Sequence, residues 1–385
     1  MPRGGRRKKH DGLASIPQEI LHEILVRLPA KSVLRCRAVC REWRRLTSDP
    51  AFLVAHHRHQ PTLHLISSFR SVDRLFSDRL DAVDLLSGER QPVANCMFDA
   101  SCDGLVVIGS RIYNPATRQW ASLGPKVRVQ NLVGLFRHQP SGEYRVLFWR
   151  ISRIRSQIYC PNEYCVLTVG SVDDPRPIRS PAPVPVERKQ MNSSEPTYVD
   201  TAVIQGQPVE LELINAIGPT FIGAPVLLHG NMYLHWKKYW EDRRHKVLVF
   251  DTVAESFWHL RPPPVNPRHI MQLFDMDGNL AASSSKDTMI EMRIFLLQKE
   301  SDIWAFQYRI KLPEMEIRQF QEQGDWLAKV VSEEGDLLVA CFGWLLHCDR
   351  KGKLVAKFRF DDDLPVVVPH VLKESLIQHK FFLKD

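Results

Sequence analysis

Between Ser15 and Phe52 the apolar residues Ile16, Ile20, Leu21, Ile24, Leu25 and Leu28 recur in steps of one, three and four, the spacing that lays a single stripe along a 3.6-residue helix. The pattern predicts a first helix over roughly 16–28. Ser15 with Gln18 resembles a capping box, Pro17 suits a first turn whose N–H groups are spare, and Pro29 disfavours helical geometry at Leu28. Ser32 is placed to cap a short second helix. Val39, Trp43 and Leu46 then fall four and three apart in a third, which stops before Asp49-Pro50. A unit of about 40 residues buries too small a fraction of its surface to be comfortable alone, so a partner surface is expected.

From Leu63 onward the period changes. Short apolar runs such as GLVVIG, YRVLFW, YCVLTVG, PVLLHG, KVLVF, DLLVACF and KLVAKFRF are separated by Gly, Pro, Asn and Asp, which predicts strands joined by turns. Three segments share an order of Asn or Asp, a turn and an aromatic: YNPATRQWASL, FDTVAESFWHL and HCDRKGKLVAKF, with the polar residue at Asn114, Asp251 and Asp349. Their gaps divide into units of about 46 to 49 residues, close to the length of one propeller blade. The expected fold class is therefore α+β multidomain, a small three-helix module followed by an all-β domain in the form of a six- or seven-bladed β-propeller. Radial repetition hides the edges of many short strands. Pro175, Pro177, Pro181, Pro183 and Pro185 mark an irregular insertion near 173–197. The expected boundaries are a disordered basic arm at 1–12, the helical module at 13–60, a linker or first blade at 61–94, and the propeller at 95–385.

Of the 385 residues, 44% are hydrophobic and 25% charged, which supports a sizeable core and excludes general disorder. The net charge of +8 is unevenly placed. Arg3, Arg6, Arg7, Lys8 and Lys9 crowd the N-terminus without an acid, whereas bases and acids balance from residue 61 onward. A nucleic-acid partner is not expected of such a body, because phosphate binding needs a basic face. GRRKKH reads equally as a nuclear localisation signal or a solvated terminus. With no apolar run of membrane-spanning length and no signal-peptide pattern, the expectation is a soluble protein of nucleus, cytoplasm or both, without a membrane partner. The eight cysteines form no CxxC and are expected as reduced thiols, and neither a metal nor a cofactor is expected.

The segment DGLASIPQEILHEILVRLPAKSVLRCRAVCREWRRLTSDPAFL resembles an F-box over about residues 11–55. The family pattern is carried by Ile16-Pro17, the stripe Ile20, Leu21, Ile24 and Leu25, then Leu28-Pro29, Leu34-Arg35, and Val39-Cys40 with Trp43; the first Leu-Pro has become Ile-Pro. The resemblance implies docking onto a Skp-type adaptor and, through it, a cullin-RING ubiquitin ligase. Its adaptor contacts are expected at Pro17, Leu28, Pro29, Leu34, Val39, Cys40 and Trp43, while about half of the stripe packs the helices together. A rival reading makes the same helices a helix-turn-helix with Arg35, Arg37, Arg41, Arg44 and Arg45 on phosphate, but the third helix offers almost no residue suited to base readout.

SCDGLVVIGSRIYNPATRQW, GLFRHQPSGEYRVLFW, APVLLHGNMYLHW, VLVFDTVAESFWHLRPP, EEGDLLVACFGWLLHCDRKGKLV and KESLIQHKFF look like the F-box-associated, kelch-like domains of plant F-box proteins. That resemblance implies a non-catalytic receptor that recruits an unidentified protein target for ubiquitination. The alternative is a kelch-type propeller that binds or oxidises carbohydrate, with the helical module merely attached. No GxGxxG, GxxxxGK[ST] or HExxH occurs. Ser283 and Lys286 form an SxxK that reads as a polar loop, and His56, His57 and His59 read as the solvated end of the last F-box helix. His229, His235 and His347 lie beside strands, and Asn192 heads a glycosylation sequon without a secretory route. Trp120, Trp236, Trp258, Trp304 and Trp344 are expected to pack blades rather than to share a recognition pocket.

Overall fold

The computed structural model describes residues 16–72, 75–94, 99–124, 132–150, 163–179, 201–204, 207–210, 224–236, 244–286, 290–298, 301–320, 326–331, 335–360 and 364–383. The basic arm at 1–12, Ser15, Asn192 and most of the proline-rich insertion lie outside them.

Four helices open the chain: α1 (Gln18–Val26), α2 (Ala30–Cys36), α3 (Arg41–Thr47) and α4 (Pro50–His59). The sequence pattern expected three. Asp49-Pro50, expected as a stop, is also a start. Asp49 Oδ1 accepts from the backbone N–H of Ala51 at 2.9 Å and Phe52 at 3.2 Å, and Pro50 takes the first-turn position where its missing N–H costs nothing. Pro17, expected within the first turn, is instead the N-cap of α1, without a side-chain cap bond. Pro29, not Ser32, precedes α2. Val39 lies in the turn before α3, whose N-cap is Cys40; its sulfur accepts from Trp43 N at 3.4 Å.

The remainder is a six-bladed β-propeller of four-stranded antiparallel blades. Blade I pairs Leu63–Val72, Leu75–Val83 and Arg90–Ala94 with an inner strand from the other end of the chain, Leu364–Leu372. The inner strands of blades II to VI are Ala100–Cys102, Leu132–Arg137, Val226–Leu228, Ile270–Met276 and Leu327–Val330. Pairing the last strand with the first closes the ring, so no blade edge is left between the chain ends. The length that allowed a seventh blade lies between Ile178 and Val226, where the described residues form one hairpin, Thr201–Ile204 with Gln207–Glu210.

The repeat read from Asn114, Asp251 and Asp349 has a physical basis. Asn114 and Asp251 end the third strand of their blades and Asp349 directly follows its own, and the Oδ1 of each accepts from backbone N–H groups two to four residues on, forming the turn into the outer strand. Every junction between neighbouring blades holds its own apolar cluster, as where Phe136 and Leu147 of blade III meet Met232 and Phe250 of blade IV. Burial of a side chain of that size stabilises by about 1.5–3 kcal/mol. Ser283 and Ser284, expected in a loop, are buried in the strand Asn279–Ser285 of blade V, where small side chains fit between sheets, and Ser284 Oγ lies 3.2 Å from His269 Nδ1.

Candidate functional site

The helices α1 to α4 close a small core from Leu25, Val26, Ala30, Val33, Phe52 and Leu53. His56 belongs to this core. Expected as solvated, it is fully buried, and its Nε2, with Gln60 Nε2, reaches the Leu28 carbonyl at 2.9 and 3.1 Å. Both side chains satisfy a carbonyl that the end of α1 leaves without a helical partner. Desolvation by burial lowers the His56 pKa.

Of the seven expected adaptor contacts, Pro17, Pro29, Val39 and Cys40 are exposed, while Leu28, Leu34 and Trp43 are half-buried against the helical core. Two further apolar residues, Ile20 and Ile24, successive turns on the outer side of α1, are 52% and 48% exposed, and Val39 is 60% exposed. Their i, i+4 spacing was visible in the sequence, but the stripe alone did not separate them from Leu21 and Leu25, which turn inward. Arg37 and Arg44 are committed to the unit itself. Arg37 donates to Thr47 O at 2.8 Å and Arg44 to Arg37 O at 3.3 Å.

A C-terminal strap, residues 373–383, joins this unit to the propeller. Leaving the inner strand of blade I, it places Leu376 in the helical core and Ile377 against it. Glu374 Oε2 accepts the Ala30 N–H at 2.9 Å, and the Glu374 carbonyl accepts from His57 Nδ1 at 2.9 Å. Asn114 Nδ2 of blade II donates to Ser375 O at 3.0 Å. Farther on, His379 stacks on Phe381 and meets Tyr144 edge-on, and Phe382 enters the core between blades II and III. Burial, the leading cause, pushes the His379 pKa down to about 4.

The inner strands of all six blades line an axial channel of about 960 Å³, and His57, Pro61 and Thr62 stand at the mouth beside the helical unit. Lys329, His64, His347 and His370 face this channel. His347 Nε2 lies 3.1 Å from Asp336 Oδ2. His235 lies 3.0 Å from His245 within blade IV, and His229 reaches Gly278 O at 2.8 Å in the neighbouring blade. The five tryptophans are spread over four blades and form no common pocket: Trp120 in II, Trp236 and Trp258 in IV, Trp304 in V and Trp344 in VI. Among the described residues no group of three or more His, Cys, Asp or Glu is placed to hold a metal ion, and no helix is long and apolar enough to cross a membrane.

Residues 13–59 match the F-box-like family. Over 123 residues the chain is 35% identical to F-box protein CPR1 of Arabidopsis thaliana, a match covering 29% of this chain and 30% of that protein. F-box/kelch-repeat protein At1g13200 of the same plant is 24% identical over 372 residues, 85% of this chain and 80% of that protein. The chain thus aligns with about a third of CPR1 and most of the kelch-repeat relative. Among solved structures, TolB from Acinetobacter baumannii resembles it with a TM-score of 0.39 at 10% identity, over 80% of this chain and 65% of that one. The chain is an F-box-like domain followed by a six-bladed β-propeller. Its curated relatives are plant F-box and F-box/kelch-repeat proteins, and its architecture is consistent with a plant-type F-box protein.

Proposed function

We propose that the protein is a substrate-recognition subunit of a Skp-cullin-F-box ubiquitin ligase, with the F-box docking a Skp-type adaptor and the propeller recruiting a target protein. The observation that carries this reading is the exposure of Ile20, Ile24 and Val39 on a helical unit whose core is closed by Leu25, Val26, Val33, Phe52, Leu53 and the strap's Leu376. Apolar side chains left outside so small a core favour a protein interface. The half-buried Leu28, Leu34 and Trp43 then shape that surface from below, and Pro17, Pro29 and Cys40 contribute at its edges. The receptor does no covalent chemistry; it raises the effective concentration of target near a charged conjugating enzyme. Such a receptor would act in the nucleus, the cytoplasm or both.

Co-purification of the full chain with a Skp-type adaptor and a cullin, followed by ubiquitination of captured targets in a reconstituted reaction, tests the reading. Stoichiometric adaptor binding is expected. Failure to bind any Skp-type adaptor, or target turnover that persists without adaptor and proteasome, would overturn it.

A further inference from the structure

The axial channel holds a cation that no salt bridge among the described residues neutralises. Lys329 lies on the inner strand of blade VI, at the seam with blade I, and its Nζ donates to the Val367 carbonyl at 2.6 Å. No carboxylate among the described residues pairs with it. The four aspartates around the channel are engaged elsewhere. Asp84 accepts from Leu86 N and Ser87 Oγ, Asp103 from the Tyr144 hydroxyl, Asp275 from Gly278 N, and Asp336 faces His347. His370, half-buried near Lys329, is held neutral, since desolvation first and the Lys329 charge second keep its pKa down at about 3. Burial lowers the Lys329 pKa to about 8, which leaves the ammonium the major form at neutral pH. An ammonium has three N–H donors, and a single carbonyl accepts one.

The channel walls supply the second observation. Leu227 and Val371, from blades IV and I, are 36% and 46% exposed and turn apolar surface toward the channel instead of a blade core. A cavity of about 960 Å³ that combines apolar wall residues with Lys329 has the size and chemistry of a small-molecule site. Arg137 and Lys373 also line the channel; the Lys329 ammonium, with one carbonyl as acceptor, has donors left for a carboxylate.

We propose that the axial channel binds a small organic monocarboxylate, its carboxylate against Lys329 and its apolar body along the walls that carry Leu227 and Val371. The site is independent of what docks on the F-box. A carboxylate could reach it as a free acid or as the acidic side chain of a bound protein, and the free acid is favoured because the exposed Leu227 and Val371 give its hydrocarbon body an apolar contact.

Isothermal titration of the full chain at neutral pH with octanoate, its neutral analogue octanamide, and a capped Gly-Gly-Glu-Gly-Gly peptide tests the site. Octanoate is expected to bind at least tenfold more tightly than octanamide and the peptide. Lys329→Met should erase the preference over octanamide, and Lys329→Arg should retain it. If Lys329→Met does not fold, Leu227→Trp narrows the channel without touching the charge and should weaken octanoate at least tenfold. Equal affinity for octanoate and octanamide, no octanoate binding at millimolar concentration, or a preference that survives Lys329→Met would overturn the site. A peptide that binds more tightly than octanoate, with the same dependence on Lys329, would overturn the free acid in favour of an acidic side chain.

Discussion

Glu374 Oε2 accepts the backbone N–H of Ala30 at 2.9 Å, across 344 positions of chain. Pro29, immediately before α2, has no side-chain group to cap that helix, so the carboxylate that serves its N-terminus arrives from the C-terminal strap. The same strap completes the helical core with Leu376, which is 1% exposed. The F-box is therefore finished by residues that follow the last strand of the propeller.

Removing the cap by Glu374→Ala should cost about 0.5–2 kcal/mol, and Leu376→Asp should cost more because it buries a carboxylate without a partner. In limited proteolysis, cleavage within 16–60 is expected to accelerate for both variants while the propeller stays protected. Wild-type protection of the helices in Leu376→Asp would show that the strap is not part of their core.

Close approach of the strap also makes a glycine obligatory. Gly104 has φ +80°, and an added Cβ would collide with the Lys373 carbonyl and lie 2.7 Å from Ser375 Cβ. Gly109 has φ +59° with open space around it, so Gly109→Ala bears only the backbone penalty of about 1–2 kcal/mol. Gly104→Ala is expected to destabilise by clearly more than Gly109→Ala in urea titrations that follow the whole chain. Equal midpoints would mean that the strap yields without cost.

The blade pattern was legible wherever a blade is built from one continuous stretch. Asn114, Asp251 and Asp349 announced themselves because each pairs with backbone N–H groups only two to four residues away. Asp84 makes the equivalent turn, accepting from Leu86 N at 2.9 Å, but its blade draws a strand from each end of the chain and escapes a count of linear periods. In the F-box, the stripe located the helices, yet which of Ile20, Leu21, Ile24 and Leu25 face outward depends on where α4 and the strap pack. Glu374, Leu376 and Lys329 carried no local signal at all, since their partners are distant in sequence or, for Lys329, a carbonyl on another blade.

Acid should loosen the strap. The His379 pKa stands at about 4, below the ordinary 6.5, because burial disfavours the charged ring. The unfolded chain therefore takes up a proton before the folded one does, so the stabilising contribution is full above about pH 6.5 and is lost as pH falls toward 4. His64 and His370, lowered by burial to about 4 and 3, act in the same direction. Thermal midpoints should drop over this interval, and His379→Phe, which keeps an aromatic ring beside Phe381 and Tyr144, should flatten part of the decline. An unchanged slope in the variant would remove His379 from the account.

Deleting residues 1–60 is the obvious way to separate adaptor docking from target capture, but it would also strip the cover from Leu376 and Ile377 and leave a new apolar surface on the propeller. Ile20→Asp with Ile24→Asp avoids this, because both side chains are about half exposed on α1 and neither belongs to the helical core. The double variant is expected to keep the wild-type thermal midpoint while adaptor affinity falls at least tenfold, which is about 1.4 kcal/mol. Val39→Asp should act in the same sense. Leu25→Asp, by contrast, should unfold the helices outright, since Leu25 lies within their core. With the face disabled and the propeller intact, the chain should still hold its target yet no longer deliver it, so the target's half-life should lengthen when the double variant is overexpressed. Wild-type adaptor affinity in the double variant would mean that docking uses a surface other than the outer side of α1.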